Sequence, residues 1–159
     1  MDFTIYTYKK LLNALQNAGY NFQTFAEFIR EPKEKSVMLR HDVDKRPRNS
    51  EEFAKIQKSL GIKGTYYFRC VPESYDEQII RNISEMNHEV GYHYEEMDLC
   101  HGNLDSALKL FEKNITKLRE ICPIESICMH GSPRSKHDNK SLWNSNKYTD
   151  YQVIGEPYL

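Results

Sequence analysis

Short apolar runs alternate along this chain with longer segments of helical period, and this alternation limits the fold more than any other feature. Runs rich in β-branched and aromatic residues predict strands, whereas apolar residues three and four apart predict helices. The predicted strands are residues 36–40, 65–68, 89–93 and 126–129, with 152–154 as a fifth candidate. The predicted helices are residues 8–18, 22–29, 49–60, 76–86 and 104–118. Strands that alternate with helices predict an α/β fold of mainly parallel strands.

Length and charge limit the number of domains and the kinds of binding partner that the chain can have. The chain has 159 residues, 39% of them hydrophobic, which predicts one domain over residues 1–159 with a hydrophobic core. The net charge of −1 gives no electrostatic case for nucleic acid or an anionic membrane, and the basic cluster at residues 45–48 is interpreted as a solvated loop. No segment suits a signal peptide or a membrane span, which predicts a cytoplasmic protein with reduced cysteines.

Two aspartates follow the first predicted core strand. Asp42 and Asp44 are two positions apart, so in an extended backbone their carboxylates leave on the same side. Two such carboxylates repel each other unless they share a cation or a proton, so the pair predicts a metal-binding or acid/base role. The alternative is a turn in which both carboxylates are solvated.

His93 ends the third predicted strand, with Glu95 and Glu96 close behind it. An imidazole beside carboxylates suits a divalent cation such as zinc, cobalt, iron or nickel. The alternative is a surface histidine that a neighbouring carboxylate orients. Both readings stay open when His93 is considered without its neighbours in the fold.

A third polar segment follows the fourth predicted strand. His130 needs a polar partner at the end of an apolar strand, Gly131 allows close backbone approach to a ligand, and Ser132 offers a hydroxyl. The alternative is an ordinary turn. Because the carboxyl ends of parallel strands meet at one edge of a sheet, we expect Asp42, Asp44, His93 and His130 to converge there.

At these positions the chain resembles the polysaccharide deacetylase family, carbohydrate esterase family 4. Residues 42–44 resemble its first motif, a strand-end aspartate pair of which one acts as base and the other binds metal. Residues 87–93, Asn-His-Glu-Val-Gly-Tyr-His, resemble the opening of the second motif, which supplies metal-binding histidines. Residues 130–133 fall where the third motif lies. The combination of HDVD, GYHYE and MHGSP resembles a bacterial branch linked to surface-polysaccharide synthesis.

The resemblance implies a distorted, incomplete (β/α) barrel that hydrolyses the acetyl group of an N-acetylated sugar. It implies a divalent metal, zinc first and cobalt, nickel or iron as alternatives. Asp42 takes the place of the base, and Asp44 and His93 those of metal ligands. The family's second metal histidine is replaced by Met97, whose soft thioether is a poor ligand for such a cation.

The third metal ligand is then left to Glu95, Glu96 or His130. We expect Glu95, because in an extended backbone it lies on the same side as His93. In that arrangement His130 lies nearer the substrate and is the candidate acid for the leaving amine. Tyr94 and Ser132 are the candidates for contacts to the sugar.

Two other functions stay open. Met97 and the lack of a match to the later family motifs favour a catalytically inactive remnant that binds a carbohydrate or a protein partner. An all-helical HD phosphohydrolase, suggested by His41 and Asp42, is disfavoured by the β-rich run before them. An incomplete barrel also leaves an exposed sheet edge, which a second copy of the chain can cover.

Overall fold

The computed structural model describes residues 4–131 and 135–159. The α-helices are α1 (Ile5–Asn17), α2 (Phe25–Arg30), α3 (Pro47–Ser59), α4 (Glu77–Glu85), α5 (Glu96–Leu99) and α6 (Leu104–Arg119). The strands are β1 (Asn21–Phe22), β2 (Ser36–Val37), β3 (Arg40–Val43), β4 (Thr65–Phe68), β5 (Glu89–Tyr94) and β6 (Ile127–Met129). Two 3-10 helices follow, Asn139–Trp143 and Tyr148–Tyr151. Within the described ranges no helix has both the length and the apolarity needed to cross a membrane.

Four strands form one parallel sheet in the order β3-β4-β5-β6. Each strand pairs with the next one along the chain, and α3, α4 and α6 lie in the connections between them. The short strands β1 and β2 pair with each other in a separate sheet. This topology confirms the predicted α/β fold with mainly parallel strands.

The sheet is curled into half a barrel. In a flat sheet β3 and β6 would lie three strand spacings apart, about 14 Å. Instead, the Sγ atom of Cys128 on β6 and a carboxylate oxygen of Asp42 on β3 lie within 4.8 Å of each other. Side chains of the two outer strands therefore meet across the concave face, and the predicted incomplete barrel is confirmed.

Two predicted strands differ from the observed ones. Residues 36–40 divide, because Ser36 and Val37 pair with β1 whereas the main sheet begins at Arg40, so Asp42 lies inside β3. Residues 152–154 form no strand. Gln152 has a left-handed φ of 57°, which turns the chain before a ladder can extend, and the bridge between Ser126 and Gly155 is isolated.

The core lies between the sheet and its covering helices. β4 is buried at every residue, as expected for a central parallel strand that is covered on both faces. Side-chain caps at Thr24, Asp76 and Asn103 start α2, α4 and α6. The fully buried large side chains include Tyr66, Phe68, Ile80, Ile83, Tyr92, Phe111, Ile115, Leu118 and Ile127.

Gly91 on β5 lies opposite Tyr67 on β4, inside the curled sheet. A Cβ atom at residue 91 would lie 2.3 Å from Cε1 and 2.4 Å from Cδ1 of Tyr67, and 3.0 Å from the carbonyl oxygen of Ser126. The Tyr67 ring is fully buried. Glycine is therefore required at residue 91, because the Tyr67 ring of β4 packs directly against the backbone of β5.

We expect Gly91→Ala to lower the free energy of unfolding by about 2–3 kcal/mol, because overpacking a buried site displaces side chains and backbone. Denaturant unfolding measures the change. Gly131→Ala is the matched control, since its nearest described neighbour would be Met129 Cε at 3.5 Å. The control should shift stability by less than about 0.5 kcal/mol. Equal stability of Gly91→Ala and the parent would contradict the close contact with Tyr67.

Candidate metal centre

Four predicted site residues come together at the carboxyl edge of the sheet. Asp42 is in β3 and Asp44 directly follows it, His93 is in β5, and His130 directly follows β6. Because all four strands are parallel, their carboxyl ends share one edge. The curl of the sheet then brings the outer strands to the same point as the central one.

Asp44, His93 and His130 form the tightest group. The Oδ1 atom of Asp44 lies 3.5 Å from Nε2 of His93 and 3.4 Å from Nε2 of His130. One ligand atom from each residue lies within 4.8 Å of the other two. The imidazole rings are nearly perpendicular, with centroids 5.1 Å apart. No hydrogen bond joins the three groups within the described structure, and their mutual distances make them a group that could hold a cation.

The ring of His93 is fixed by its other nitrogen. Nδ1 lies 2.9 Å from the carbonyl oxygen of Cys128, so Nδ1 carries the proton and Nε2 presents a lone pair to the centre. Burial lowers the pKa of His93 below its ordinary value, which keeps the imidazole neutral. A neutral imidazole oriented through its second nitrogen is the usual form of a metal ligand.

Glu95 lies behind His130 and outside this group. Its carboxylate accepts two hydrogen bonds from Arg69, at 2.8 Å from Nε and 2.7 Å from Nη2. Its Oε2 lies 3.4 Å from Nδ1 of His130, which is buried and has no hydrogen bond among the described residues. The extended backbone of β5 ends at Tyr94. This position suits a group that orients His130 rather than one that shares a cation with His93.

Asp42 is held by an arginine on its own strand. Arg40 donates from Nε to Oδ1 at 2.8 Å and from Nη2 to Oδ2 at 2.6 Å, and these bonds raise the pKa of the guanidinium. The guanidinium also lies 4.9 Å from the centroid of the Tyr158 ring. Oδ2 of Asp42 lies 3.9 Å from Nε2 of His93. Asp42 is therefore next to the centre without belonging to its tightest group.

Asp42, His93 and Cys128 form a second group whose ligand atoms also lie within 4.8 Å of one another. Burial raises the pKa of the Cys128 thiol, which keeps it protonated. The thiolate, not the thiol, is the metal ligand. Asp44, His93 and His130 are therefore the better donor set.

Tyr94, one of the two predicted sugar contacts, lies away from the centre. The Tyr94 side chain is fully buried and packs edge-on against Phe111 and Trp143, so it faces the core and not an open groove. Alternation along β5 explains this, because neighbours on a strand face opposite sides of the sheet. We therefore remove Tyr94 from the candidate site. Ser132 lies outside the described residues.

Glu96, the remaining candidate for the third ligand, is in the core, and so is Met97, which was not expected to bind the metal. Glu96 is fully buried, and its carboxylate accepts hydrogen bonds from the Tyr92 hydroxyl and from Asn114 at 3.0 Å. Burial raises the pKa of Glu96 to about 7. Met97 is 8% exposed and belongs to the hydrophobic core. Glu96 does not belong to either group of the described structure that could hold a metal ion.

His41 faces away from the centre, on the opposite side of β3 from Asp42. Its ring stacks on Tyr66 with centroids 4.4 Å apart, and its Nε2 lies 2.6 Å from Nε2 of Gln57. Gln57 also donates to the Tyr8 hydroxyl and accepts from the Tyr66 hydroxyl. The amide therefore donates to His41, which has to be neutral. Burial lowers the pKa of His41 to about 4.

This network predicts a pH dependence of stability. The unfolded chain binds a proton at His41 below pH 6.5, whereas the folded chain resists it down to about pH 4. Stability is therefore present in full above pH 6.5 and decreases as the pH falls, by up to about 1 kcal/mol per pH unit. Denaturant unfolding between pH 4.5 and 7 measures this slope. His41→Gln should flatten it, and an unchanged slope in that variant would contradict the assignment.

Sequence patterns pointed to neither arginine of the site. Arg40 lies two residues before Asp42 on one strand, so the same period-two rule that pairs Asp42 with Asp44 also pairs it with Arg40. Arg69 directly follows β4, so the strand-end rule would have included it. Both arginines hold a carboxylate of the site in two hydrogen bonds, which is the geometry that guanidinium favours.

A cavity of about 410 Å³ opens beside His130. Its described lining consists of Met129, His130, Gly131, Ser135, Lys136, His137, Asp138, Asn139 and Lys140. Asn139 connects this wall to the centre, since its side chain donates to the carbonyl oxygen of His130 at 2.7 Å and accepts from the backbone of Asp98 at 3.2 Å. His130 is the residue of the centre that the described lining of this cavity includes.

The fold is similar to that of a solved carbohydrate esterase. A solved structure described as a family 4 carbohydrate esterase from Bacillus anthracis is similar, with a TM-score of 0.54 and 13% sequence identity. The similarity covers 92% of this chain and 67% of that one. No protein family matches this sequence, and no curated protein matches it either. At this identity the likeness shows the fold alone.

Proposed function

We propose that this chain is a metal-dependent hydrolase that removes the acetyl group from an N-acetylated sugar. The observation that carries the proposal is the convergence of Asp44, His93 and His130 within 4.8 Å at the carboxyl edge of the sheet. The fold shared with a carbohydrate esterase supports it. Asp42 beside this group supplies the carboxylate that a hydrolysis needs.

The proposed metal ligands are Asp44, His93 and His130. Two imidazole nitrogens and a carboxylate oxygen suit zinc with a position left open, and cobalt, nickel or iron as alternatives. A bound cation would polarise the acetyl carbonyl and favour ionisation of water. Compared with the expectation from sequence, His130 replaces Glu95 as third ligand and Glu95 orients His130.

Asp42 is the proposed base. It takes a proton from the water whose oxygen forms the new bond to the acetyl carbon, and Arg40 holds its carboxylate in place. When the carbon–nitrogen bond breaks, the leaving amine needs a proton. Asp42 can return the proton that it accepted, so His130 is not required as the acid. The products are acetate and the free amino sugar.

A catalytically inactive remnant that binds a carbohydrate or a protein partner is the second candidate. Met97 favours it, because this side chain stands at the family's second metal histidine and is part of the core. A remnant has no need of Asp42 as a base, whereas the hydrolase does. The two functions therefore differ in acetate release and not in fold.

The deciding experiment measures acetate release from N-acetylated chito-oligosaccharides before and after metal depletion. We expect the chelated protein to be inactive and zinc, cobalt, nickel or iron(II) to restore release. Stoichiometric metal binding without acetate release would favour the remnant. Activity that survives complete metal removal would contradict the proposed centre.

A further inference from the structure

Cationic residues occur in the two chain segments that follow Asp44 and His130. Lys45, Arg46 and Arg48 follow Asp44, and Lys136 and Lys140 line the cavity beside His130. These residues are called the basic rim here. Lys140 is half-buried and the others are exposed. Because Oδ1 of Asp44 and Nε2 of His130 lie 3.4 Å apart, the two segments of the rim start from one centre.

The charge of the basic rim is not balanced locally. Among the described residues, no carboxylate lies within 4.0 Å of Lys45, Arg46, Arg48 or Lys136, and Lys140 reaches Asp138 only at 3.9 Å. Arg40 already holds Asp42 and Arg69 holds Glu95, and the ion pairs of Asp44 among the described residues are with His93 and His130. The chain as a whole has a net charge of −1, so the positive charge of the basic rim is a local feature.

The start of α3 adds to this positive field. A helix N-terminus carries a partial positive charge, and acidic residues in the first turn usually offset it. The first turn of α3 has no acidic residue and includes Arg48, whereas Glu77 and Asp105 occupy the first turns of α4 and α6. Arg46, before the helix, has a left-handed φ of 54°. The positive charge of Arg48 at a helix N-terminus does not stabilise the fold, and neither does the left-handed backbone conformation of Arg46.

We propose that the basic rim binds an anionic group of the substrate, so that the N-acetylated sugar is part of an acidic saccharide. The anionic group is a carboxylate or a phosphate near the acetamido group. That the substrate contains an N-acetylated sugar rests on the proposed function. That the substrate also carries an anionic group rests on the basic rim. A neutral saccharide would leave the rim without a partner.

Binding to the metal-loaded chain tests the proposal. The probes are UDP-N-acetylglucosamine for phosphate, a hyaluronan tetrasaccharide for carboxylate, and N-acetylchitotetraose as the neutral saccharide. We expect at least one anionic probe to bind about 10-fold more tightly than the neutral one at low ionic strength. The advantage should decrease at high salt, where screening shortens to about 3 Å at 1 M. The probe that binds better identifies the anionic group.

Two sets of variants locate the interaction. The first set is Lys45→Gln/Arg46→Gln/Arg48→Gln, and the second set is Lys136→Gln/Lys140→Gln. Each set should weaken binding of the preferred anionic probe about 10-fold. Affinity for N-acetylchitotetraose and for zinc should not change. Lys109→Gln/Lys113→Gln, two exposed lysines on α6, is the matched control and should have no effect.

Failure of the rim and failure of the hydrolase give different results. His93→Ala should lose metal but keep the preference for the anionic probe, so a chain without acetate release can still support the rim. Equal affinity for all three probes, absence of binding by both anionic probes, or an equal loss in the control would overturn the proposal. Tighter binding of a single-stranded RNA through the same residues would also overturn it.

Discussion

Replacing Asp42 with asparagine is expected to lower kcat for acetate release by about 10³-fold. The amide is similar in size to the carboxylate but cannot accept the proton of the attacking water, and general base catalysis contributes about 10²–10⁴-fold. Arg40 can still donate to the amide oxygen, so the strand and the position of the side chain are retained. Because Asp42 is outside the group of Asp44, His93 and His130, zinc affinity should change little.

Steady-state kinetics with zinc titration on the same samples separate these effects. A loss in kcat with unchanged zinc affinity supports the role of Asp42 as base. Asp138→Asn is the matched control, because Asp138 is an exposed aspartate that caps a 3-10 helix beside the cavity. A variant of Asp42 that keeps more than about a tenth of the parent kcat would contradict the role.

Zinc affinity is expected to decrease most on replacement of a ligand. His93→Ala and His130→Ala each remove one nitrogen donor from the centre, so each should lower the association constant by more than the roughly 10–100-fold that loss of an outer partner causes. Metal binding stabilises the folded state, so the rise in Tm on adding zinc should disappear in both variants. Isothermal titration measures the affinity directly.

Glu95→Ala separates the two assignments of the third ligand. If Glu95 orients His130, the variant should lose about 10–100-fold in zinc affinity and keep a measurable rise in Tm. If Glu95 is the ligand and His130 is the acid, Glu95→Ala should match His93→Ala, and His130→Ala should bind zinc like the parent. His101→Asn, an exposed histidine with left-handed backbone, is the control for loss of an imidazole.

Much of the fold could be predicted from the sequence, because the signals that specify it are local. Short apolar, β-branched and aromatic runs marked the strands of the main sheet, and apolar residues three and four apart marked the helices that cover it. The rule that parallel strands share a carboxyl edge then placed Asp42, Asp44, His93 and His130 together, and the structure brings all four to that edge. Which residues bind metal stays a prediction.

The tertiary structure alone decided what each side chain contacts. The curl of the sheet brings β6 to β3, and it is this curvature that puts His130, and not Glu95, beside Asp44. Arg69, which directly follows β4, binds the carboxylate of Glu95 away from the centre. The side chain of Tyr94 is buried in the core. Sequence periodicity sets the face on which a side chain lies but not the curvature of the sheet. Curvature depends on packing between distant residues, such as Tyr67 against Gly91.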